Sequence, residues 1–508
     1  MPFFTIKPEP FFNRANELNA LDRAYRQRGR GGQFTLLYGR RRLGKTYLLQ
    51  RYFTGGRDGN EAPKPHCYFL AEQTTAQAQR RALALELLEA LPSQGTTLEE
   101  IAVSWNTLLR YVSQQAREHS ADAGRFALIL DEFPYLIEQT PELPSVLQAW
   151  WDREGLHAPI YVVLCGSQLS AMAALGAESA PLFGRLNAGI HLLEPLRYED
   201  AAAFYADSPR YGLIETLTMY SVFGGTPRYH ALVDTANPME QEIVALLMET
   251  RAILGNEARF LLGSEQIRDP APYNAILAAV AAGETQFGRI QQHTGVDKGT
   301  LSFHLKTLQE LGWLRRELPF GDATERRALY QVADPFLAFW YRFIAPLASA
   351  LQFSDPMRIY HERVEPRLAE YMGGRVFETI CAQWMQRYAR EKFALAIRRM
   401  GRYWSRDGRI EIDLMAELED GGYCFGECKW SANRPVNLSV YGELRVKIAA
   451  LPEAKWRENP ICVLFSVGGF TPEVYSLAAN PEERLSLVAG SDLLPTKEII
   501  VEGQNVPR

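Results

Sequence analysis

A glycine-rich loop between an apolar run and a helical run constrains this chain more than any other segment. Residues 36–38 are apolar, residues 39–46 read Gly-x-x-x-x-Gly-Lys-Thr, and residues 47–52 have helical character. This order predicts a phosphate-binding loop, because backbone N–H groups and a helix N-terminus both attract phosphate oxygens. We expect the β- and γ-phosphates at Lys45 and Mg²⁺ at the Thr46 hydroxyl. The predicted contact residues are Gly39, Arg40, Arg41, Arg42, Leu43, Gly44, Lys45 and Thr46.

A second apolar run, Phe126–Leu130, ends in two carboxylates. A continuous apolar run of this length predicts a buried parallel strand. At its end we expect Asp131 to hold Mg²⁺, directly or through a water. Glu132 is then the candidate general base that deprotonates the attacking water. The alternative is that two solvated carboxylates simply begin a loop.

A third predicted strand, Ile160–Cys165, is followed by a polar side chain, Ser167. Beside the Asp-Glu strand, Ser167 is a candidate sensor of the γ-phosphate, although serine is also a favoured helix N-cap. Further on, Arg185 follows a glycine turn. An arginine there can neutralise transition-state charge, in cis or from a neighbouring subunit.

The length of 508 residues exceeds what one core holds and predicts about three domains. Alternating strands and helices in residues 1–205 predict the parallel α/β sheet of an ATPase core. Residues 206–270 predict a helical lid over the nucleotide. The sequence pattern then changes, and over residues 271–335 it predicts a winged helix-turn-helix. Over residues 336–508 it predicts a further α/β domain.

Composition narrows the class of protein. The six cysteines lack the spacing of a zinc site and are predicted to be reduced core thiols of a cytoplasmic protein. Neither a signal peptide nor a membrane-spanning stretch is evident, so no membrane partner is expected. A net charge of −5 argues mildly against a protein that coats nucleic acid in bulk. Local basic patches matter more for nucleic-acid binding than this total. One patch, or a solvated basic face, consists of Arg398, Arg399, Arg402, Arg406 and Arg409.

The predicted winged helix-turn-helix has three helices and two short strands around residues 319–322. The candidate contacts to a DNA groove lie on its third helix and are Lys298, Thr300, Ser302, His304 and Lys306. The candidate contacts to the DNA phosphates lie on its wing and are Arg315, Arg316, Arg326 and Arg327. The alternative is a module that packs on the ATPase or on a partner subunit and touches no DNA.

A second chemical site is predicted on a hairpin near the C-terminus. An alternating strand carries Asp413, a glycine turn follows, and the return strand carries Glu427 and Lys429 two residues apart. Two carboxylates on adjacent strands suit Mg²⁺ or Mn²⁺, which can activate water for attack on a phosphodiester. Lys429 would stabilise the charged phosphate, and Glu378 on an upstream helix would add a carboxylate. The alternative is a solvated hairpin with a cross-strand ion pair.

Short motifs of the first half are those of a known family. They are residues 12–18, the loop at 39–46, Asp131-Glu132, Gly166-Ser167, Gly184-Arg185 and residues 224–227. On these motifs the first half resembles the archaeal-type P-loop ATPases, which are related to AAA+ and STAND NTPases. The resemblance implies ATP as the ligand and implies that Asn13, Arg14 and Pro227 lie near the adenine.

The C-terminal region resembles the PD-(D/E)XK nuclease superfamily, in its resolvase-like and Mrr-like branch. Glu378, Asp413, Glu427 and Lys429 match its motif, which implies a restriction-endonuclease-like fold with catalytic carboxylates and lysine. The usual proline before the first acid is absent, since Ile412 precedes Asp413. Outside this motif the similarity is weak.

The sequence therefore predicts an ATP-binding and hydrolysing protein coupled to a metal-dependent nuclease that processes DNA or RNA, with DNA favoured. Its cofactors would be ATP and Mg²⁺, with Mn²⁺ as an option at the nuclease site, and a homo-oligomer is left open. The alternative is an ATP-dependent switch that binds DNA or a partner protein through the winged helix, with a non-catalytic nuclease-like scaffold. A third hypothesis is an oligomeric motor in which Arg185 acts in trans.

Overall fold

The computed structural model describes residues 11–27, 31–56, 61–119, 124–265, 267, 269–322 and 327–494. These form two compact units, a first unit of residues 12–195 and a second unit that begins at Leu196. The predicted lid, winged helix-turn-helix and C-terminal domain all fall within the second unit, and the boundaries between them stay predictions. Of the predicted wing residues, Arg326 lies outside the described residues. None of the described helices combines the length and apolarity needed to cross a membrane.

The first unit is built on a sheet of five parallel strands. These strands are β1 (Gln33–Tyr38), β2 (His66–Leu70), β3 (Phe126–Asp131), β4 (Ile160–Gly166) and β5 (Gly189–Leu192). Their order is β2-β3-β4-β1-β5, so β4 lies between the strand of the phosphate-binding loop and the strand of Asp131. Strands β3 and β4 are buried throughout, which explains their unbroken apolar runs. The carboxyl ends of β1, β3 and β4 therefore meet at one edge of the sheet.

The helices of the first unit connect these strands as parallel crossovers require. They are α1 (Ala15–Arg26), α2 (Lys45–Gly55), α3 (Ala76–Ala90), α4 (Leu98–Ile101), α5 (Trp105–His119), α6 (Phe133–Gln139), α7 (Leu143–Arg153) and α8 (Leu169–Leu175). The apolar faces of α3 to α8 join the strands in one core that includes Leu87, Val112, Leu147 and Trp151.

The second unit begins with helices and continues into a winged helix-turn-helix. The first helices are α9 (Tyr198–Ala202), α10 (Leu213–Phe223), α11 (Pro227–His230), α12 (Met239–Ile243) and α13 (Glu257–Ser264). The winged module comprises α14 (Ala271–Ala281), α15 (Phe287–Thr294), α16 (Lys298–Glu310) and the antiparallel strands β6 (Leu314–Glu317) and β7 (Leu329–Val332). Helix α16 begins where the Asp297 carboxylate accepts hydrogen bonds from the N–H groups of Gly299 and Thr300.

The rest of the second unit is an α/β layer. Its helices are α17 (Pro335–Phe339), α18 (Pro356–Ile359), α19 (Glu365–Tyr371), α20 (Phe377–Phe393), α21 (Leu438–Ala449), α22 (Ala454–Arg457), α23 (Pro472–Ala478) and α24 (Gly490–Leu493). Its strands are β8 (Ile397–Trp404), β9 (Glu411–Leu418), β10 (Tyr423–Lys429), β11 (Ile461–Ser466) and β12 (Leu485–Ala489). They lie in the order β12-β11-β10-β9-β8. Strands β8, β9 and β10 are antiparallel, and β10, β11 and β12 are parallel.

The loop of the wing is part of the core of this C-terminal sheet. Phe320 is 7% exposed and packs with Tyr403, Tyr423 and Trp456. Its N–H donates to the carbonyl of Arg402 on β8 at 2.7 Å. The winged module and the C-terminal sheet therefore share one apolar core.

Replacing Phe320 by alanine removes a core side chain, so Phe320→Ala should lower the free energy of unfolding by about 3 kcal/mol. Phe303→Ala is the matched control, because that ring is 63% exposed and should change stability by less than about 0.5 kcal/mol. Denaturant unfolding of the full chain measures both variants. Equal effects of the two substitutions would contradict a wing buried in the core.

Candidate functional sites

The phosphate-binding loop is curled around the Lys45 side chain. Gly44 has φ of +88°, the left-handed region that suits glycine, and α2 begins at the next residue. Lys45 Nζ donates to the carbonyls of Gly39 and Arg40 at 2.7 and 3.0 Å. Burial lowers the pKa of the Lys45 ammonium, although the charges of Asp131 and Glu132 oppose that shift. The loop thus holds a desolvated cation at the end of β1, as phosphate binding requires.

Thr46 and Asp131 lie together, as predicted for Mg²⁺ ligands. The Thr46 hydroxyl donates to Asp131 Oδ2 at 2.7 Å, and the Tyr68 hydroxyl on β2 donates to the same oxygen. Neighbouring ligands of an octahedral Mg²⁺ lie roughly 3 Å apart, so the two oxygens fit this ion. Tyr68 was not predicted from the sequence, where it is one of several aromatic residues in an apolar strand.

Glu132 is held in place by Ser167. Glu132 has φ of +51°, a conformation that non-glycine residues rarely adopt, and it precedes α6. Its Oε2 accepts hydrogen bonds from the N–H and the hydroxyl of Ser167 at 3.2 and 2.9 Å. Ser167 thus orients the candidate base, while its predicted contact with a γ-phosphate stays a prediction.

The other predicted nucleotide-binding residues are placed as follows. Asn13 and Arg14 both have positive φ, and the Arg14 guanidinium donates to the carbonyls of Glu194 and Leu43 at 2.8 and 3.4 Å. Arg14 therefore contacts the phosphate-binding loop. The Arg41 guanidinium donates to the hydroxyl of Tyr135, and Arg42 has φ of +69° within the loop. Pro227 begins α11 of the second unit, and its place beside the adenine stays a prediction.

Arg185 lies at the opposite edge of the first sheet. It precedes β5, and the nearby Asn187 bonds to Gly32 and Phe34 at the start of β1. The phosphate-binding loop follows the far end of this six-residue strand, about 20 Å away. Arg185 itself pairs with Asp152 at 2.9 Å. Its predicted action in cis is therefore wrong, and only its action in trans stays a prediction.

The C-terminal carboxylates meet at adjacent strands, as predicted. The antiparallel pairing of β9 and β10 runs up to Leu414 and Gly426, the neighbours of Asp413 and Glu427. Gly426 permits this approach, because a Cβ there would lie 2.8 Å from the Cβ of Leu414. Asp413 Oδ2 accepts a hydrogen bond from the N–H of Cys428 at 2.8 Å.

Glu427 binds two ammonium groups. It is 4% exposed, and Lys429 Nζ donates to its Oε1 at 2.8 Å. Lys447 Nζ on α21 contacts both carboxylate oxygens at 2.9 Å. Lys447 was not predicted from the sequence, although it lies directly before the buried Ile448 and three residues after the buried Leu444. A lysine at the edge of an apolar helical stripe was the available signal.

Two carboxylates in this setting repel each other. Burial, together with the charge of Glu427, raises the pKa of Asp413 from 3.8 to about 6. For Lys429, burial opposes the charged form, but the hydrogen bond and charge of Glu427 outweigh it and the pKa is raised. A Mg²⁺ ion bound through one or two carboxylates and several waters suits the Asp413–Glu427 pair.

Glu378 pairs with two arginines, and its predicted role as a further carboxylate of the site stays a prediction. It forms ion pairs with Arg402 at 2.7 Å and with Arg375 at 3.0 Å. Burial raises the pKa of its carboxyl to about 8, and the charge of Arg375 opposes that shift. Within the described ranges, no three or more His, Cys, Asp or Glu side chains form a group that could hold a metal. Glu378 therefore holds the two arginines beside the Asp413 site.

The predicted basic patch is largely neutralised. Arg398 and Arg399 both pair with Glu417, and Arg402 is buried among Glu317, Glu378 and Glu411. Strand β8 was not predicted from the sequence. It contains three arginines of the predicted patch, Arg398, Arg399 and Arg402, whereas Arg406 and Arg409 follow it.

The wing arginines are also paired within the chain. Arg315 pairs with Glu317, and Arg327 pairs with Asp322 and donates to the carbonyl of Trp404. Phosphate binding by these two residues is therefore not supported. The third helix of the winged module keeps exposed Lys298, Thr300, Ser302 and Lys306, whereas His304 packs on Tyr273.

All six cysteines are buried and free, as predicted. They lie in strands or helices of the two cores. They therefore act as apolar side chains rather than as ligands.

Comparison with protein families matches three stretches of the chain. Residues 11–233 match an ATPase domain found predominantly in Archaea, which confirms a P-loop ATPase domain. Residues 275–318 match the IclR helix-turn-helix domain. Residues 340–439 match archaeal and bacterial proteins of unknown function, and this range contains Asp413, Glu427 and Lys429. No activity is attached to that last description, so the nuclease stays a prediction.

The chain is also similar to individual proteins. An uncharacterised protein of Methanocaldococcus jannaschii is 25% identical over 482 residues, which cover 91% of this chain and all of that protein. The Walker-type ATPase of Pyrococcus abyssi is 19% identical with a TM-score of 0.49, covering 66% of this chain and 96% of that one. The ORC2 protein of Aeropyrum pernix, solved in ADPNP–ADP complexes, is 14% identical with a TM-score of 0.43, covering 69% and 96%.

The pH dependence of stability tests the burial of Asp413. With a folded pKa of about 6 against an ordinary 3.8, its charge destabilises the fold above pH 6 and has no effect below pH 3.8. Without metal, Asp413→Asn should therefore gain roughly 1–3 kcal/mol over the wild type at pH 7 and almost nothing at pH 4. Chelator-treated chain unfolded at both values measures this.

Asp407→Asn is the matched control, because hydrogen bonds lower the pKa of this exposed carboxyl. It should bring no gain in stability at pH 7. A gain from Asp413→Asn that is equal at both pH values would contradict the raised pKa.

Proposed function

We propose that the first unit binds and hydrolyses ATP and thereby controls a metal-dependent nuclease in the second unit. DNA is the favoured substrate and RNA the other. The observation that carries this proposal is the placement of Asp413, Glu427 and Lys429 at one point of adjacent strands, with Glu427 buried and Asp413 shifted towards neutrality. Buried carboxylates placed against each other are uncommon unless they serve a site.

The order of elements supports a nuclease-like fold. Helix α20 is followed by three antiparallel strands, then by α21 and the parallel strand β11. Glu378 lies on α20, Asp413 lies on β9, and Glu427 and Lys429 lie on β10. It is the arrangement that the motif resemblance leads us to expect.

Each residue of the proposed nuclease site then has a distinct task. Asp413 and Glu427 would hold Mg²⁺ or Mn²⁺, which when bound supplies an activated water and shields the phosphate charge. Lys429 is 38% exposed and keeps its charge, so it can contact a phosphodiester oxygen. Lys447 holds both oxygens of Glu427 and acts as a positioning residue.

The first unit has the groups that ATP hydrolysis needs. Lys45 sits within the phosphate-binding loop, and the Thr46–Asp131 pair would hold Mg²⁺. Glu132, oriented by Ser167, would accept the proton of the attacking water. A conformational change of the first unit on ATP binding or hydrolysis would then alter the activity of the second unit, as in other ligand-driven switches.

Two substitutions separate ATP binding from hydrolysis. Lys45→Ala removes a buried cation from the phosphates and should weaken ATP binding roughly 100-fold. Glu132→Gln leaves Lys45 and the phosphate-binding loop unchanged, so this variant should bind ATP normally. Its ATP hydrolysis should be reduced roughly 100-fold or more, because the candidate base is lost. Binding calorimetry and phosphate release measure the two effects. Glu142→Gln, at an exposed position, is the control; unchanged hydrolysis in Glu132→Gln would contradict the base assignment.

Cleavage of labelled linear, branched and single-stranded DNA and RNA tests the nuclease. With Mg²⁺ or Mn²⁺, Lys429→Ala should lower the cleavage rate roughly 100-fold, because the developing charge on the phosphate loses its cation. Lys392→Ala is the matched control, since Lys392 is 57% exposed and pairs only weakly at 3.6 Å with Glu391. The Lys45→Ala chain shows whether ATP controls the reaction.

One observation favours a second function. Glu427 is already neutralised by Lys429 and Lys447, as in a structural charge cluster. The chain would then be an ATP-dependent switch that binds DNA or a partner protein through α16, with the C-terminal sheet as a scaffold. Nucleic-acid binding that is lost in Lys298→Ala, without cleavage under either metal, would establish this function and exclude the nuclease.

Arg185 defines a third reading, an oligomeric ATPase. Because Arg185 lies far from the loop of its own chain, it can contact a γ-phosphate only in trans. Arg185→Ala should then bind ATP normally and lose hydrolysis roughly 1,000-fold. Arg153→Ala, on the same exposed surface, should hydrolyse ATP like the wild type. Normal hydrolysis by Arg185→Ala would exclude the reading.

A further inference from the structure

Lys447 covers the buried carboxylate of the proposed metal site. Its Nζ lies 2.9 Å from both Oε1 and Oε2 of Glu427. A cation at equal distances from the two oxygens lies on the bisector of the carboxylate. A divalent cation that binds a carboxylate through both oxygens takes that same position. The ammonium and such a cation therefore cannot hold Glu427 in the same way at the same time.

The second ammonium of the site covers less of this carboxylate. Lys429 Nζ contacts Oε1 of Glu427 at 2.8 Å. Among the described residues, Lys447 alone donates a hydrogen bond to Oε2. Departure of Lys429 would leave both oxygens covered, whereas departure of Lys447 would free Oε2 and one side of Oε1. Lys447 is therefore the ammonium that has to move before a cation can use both oxygens.

The charges of the site balance without a divalent cation. Asp413 and Glu427 bring two negative charges when both are ionised, and Lys429 and Lys447 pair with Glu427 and bring two positive charges. A site without net charge attracts a further cation only weakly, because Coulomb attraction follows the sum of the charges nearby. Removal of one lysine from the site restores a net negative charge.

Lys447 has another place for its ammonium. It lies in the last turn of α21, and its side chain is 27% exposed. Glu443, four residues earlier on the same helix, is exposed. A glutamate and a lysine at this spacing share one face of a helix and attract each other. Lys447 can therefore turn from Glu427 towards Glu443 without leaving the vicinity of a carboxylate.

We propose that Lys447 is a displaceable counter-ion, which neutralises Glu427 in the cation-free chain and turns out of the site when a divalent cation binds. We call this step the lysine exchange. It rests on the metal site of the proposed function and adds a determinant of its affinity. Each cation has to compete with an ammonium that the chain itself supplies.

Mn²⁺ titration by calorimetry tests the lysine exchange in the full chain carrying Lys45→Ala. Lys447→Met keeps a long side chain and removes its charge, so Mn²⁺ affinity should rise roughly tenfold or more. Lys429→Met should raise the affinity less, since Lys447 still covers both oxygens of Glu427.

Lys455→Met is the control for the loss of a charge alone. This exposed lysine on α22 lies near Glu417, which is about 13 Å along β9 from Asp413. Its loss should change Mn²⁺ affinity less than about twofold, because solvent and salt screen charges at that distance. Thermal unfolding confirms that each variant folds, and Lys447→Gln serves in place of Lys447→Met if the latter does not.

Amine labelling reports the movement of Lys447 without changing that residue. Acetic anhydride is applied with and without saturating Mn²⁺, and mass spectrometry of peptides gives the rate at each lysine. Lys447 should be acetylated about threefold faster or more with Mn²⁺, because its ammonium leaves the carboxylate. Asp413→Asn should abolish that difference, and Lys455 in the same samples should react equally with and without Mn²⁺.

Two results would overturn the lysine exchange alone. They are an Mn²⁺ affinity that Lys447→Met leaves unchanged or lowers, and a labelling rate of Lys447 that Mn²⁺ does not increase. Absence of Mn²⁺ binding by both the parent chain and Lys447→Met would overturn the metal site and the exchange together. The expected binding and labelling without cleavage of nucleic acid would support the exchange and exclude the nuclease.

Discussion

The second unit depends on the insertion of the wing loop into the C-terminal core. Phe320 supplies an aromatic side chain to that core, and its N–H extends the hydrogen bonding of β8. The same wing brings Glu317 to the buried Arg402, which in turn pairs with Glu378. The Phe320 contact and these ion pairs join the wing to β8 and to α20.

The two carboxylate sites differ in how the protein stabilises the charge. Asp131 receives hydrogen bonds from two hydroxyls and one backbone N–H, which fix the position of its carboxylate. Asp413 receives one backbone N–H and faces a second carboxylate, so its charged form is destabilised. The carboxylate of the first site is therefore held by hydrogen bonds within the first unit. The second becomes fully charged only when a cation or a higher pH permits it.

Local sequence patterns predicted most of the strands and helices that carry these sites. The unbroken apolar runs before Asp131 and Ser167, the glycine loop before Lys45 and the alternation around Asp413 each appear in the structure as strands or as the loop that follows them. These features depend on residues near each other in the chain, which is why a sequence shows them. The pairing of Glu378 with Arg402 and the burial of Phe320 depend on residues brought together by the fold.

The missed features share one physical cause. The three arginines of strand β8 pair with Glu417, Glu411 and Glu378, and charge in a sequence carries no information about its partner. The same applies to Lys447, which reaches Glu427 from the next helix, and to Arg185, whose edge of the sheet is set by strand order. The sequence therefore predicted surface or site positions for charged residues, whereas several of these residues form ion pairs within the fold.

Direct titration of Mn²⁺ into nucleotide-free chain carrying Lys45→Ala tests the central claim, that Asp413 and Glu427 are kept close together to bind a divalent cation. The account predicts one Mn²⁺ site outside the first unit, with affinity that rises about tenfold per pH unit below pH 6 as Asp413 loses its proton, and that disappears in Asp413→Asn. No Mn²⁺ binding at pH 7, or binding that Asp413→Asn leaves unchanged, would contradict it.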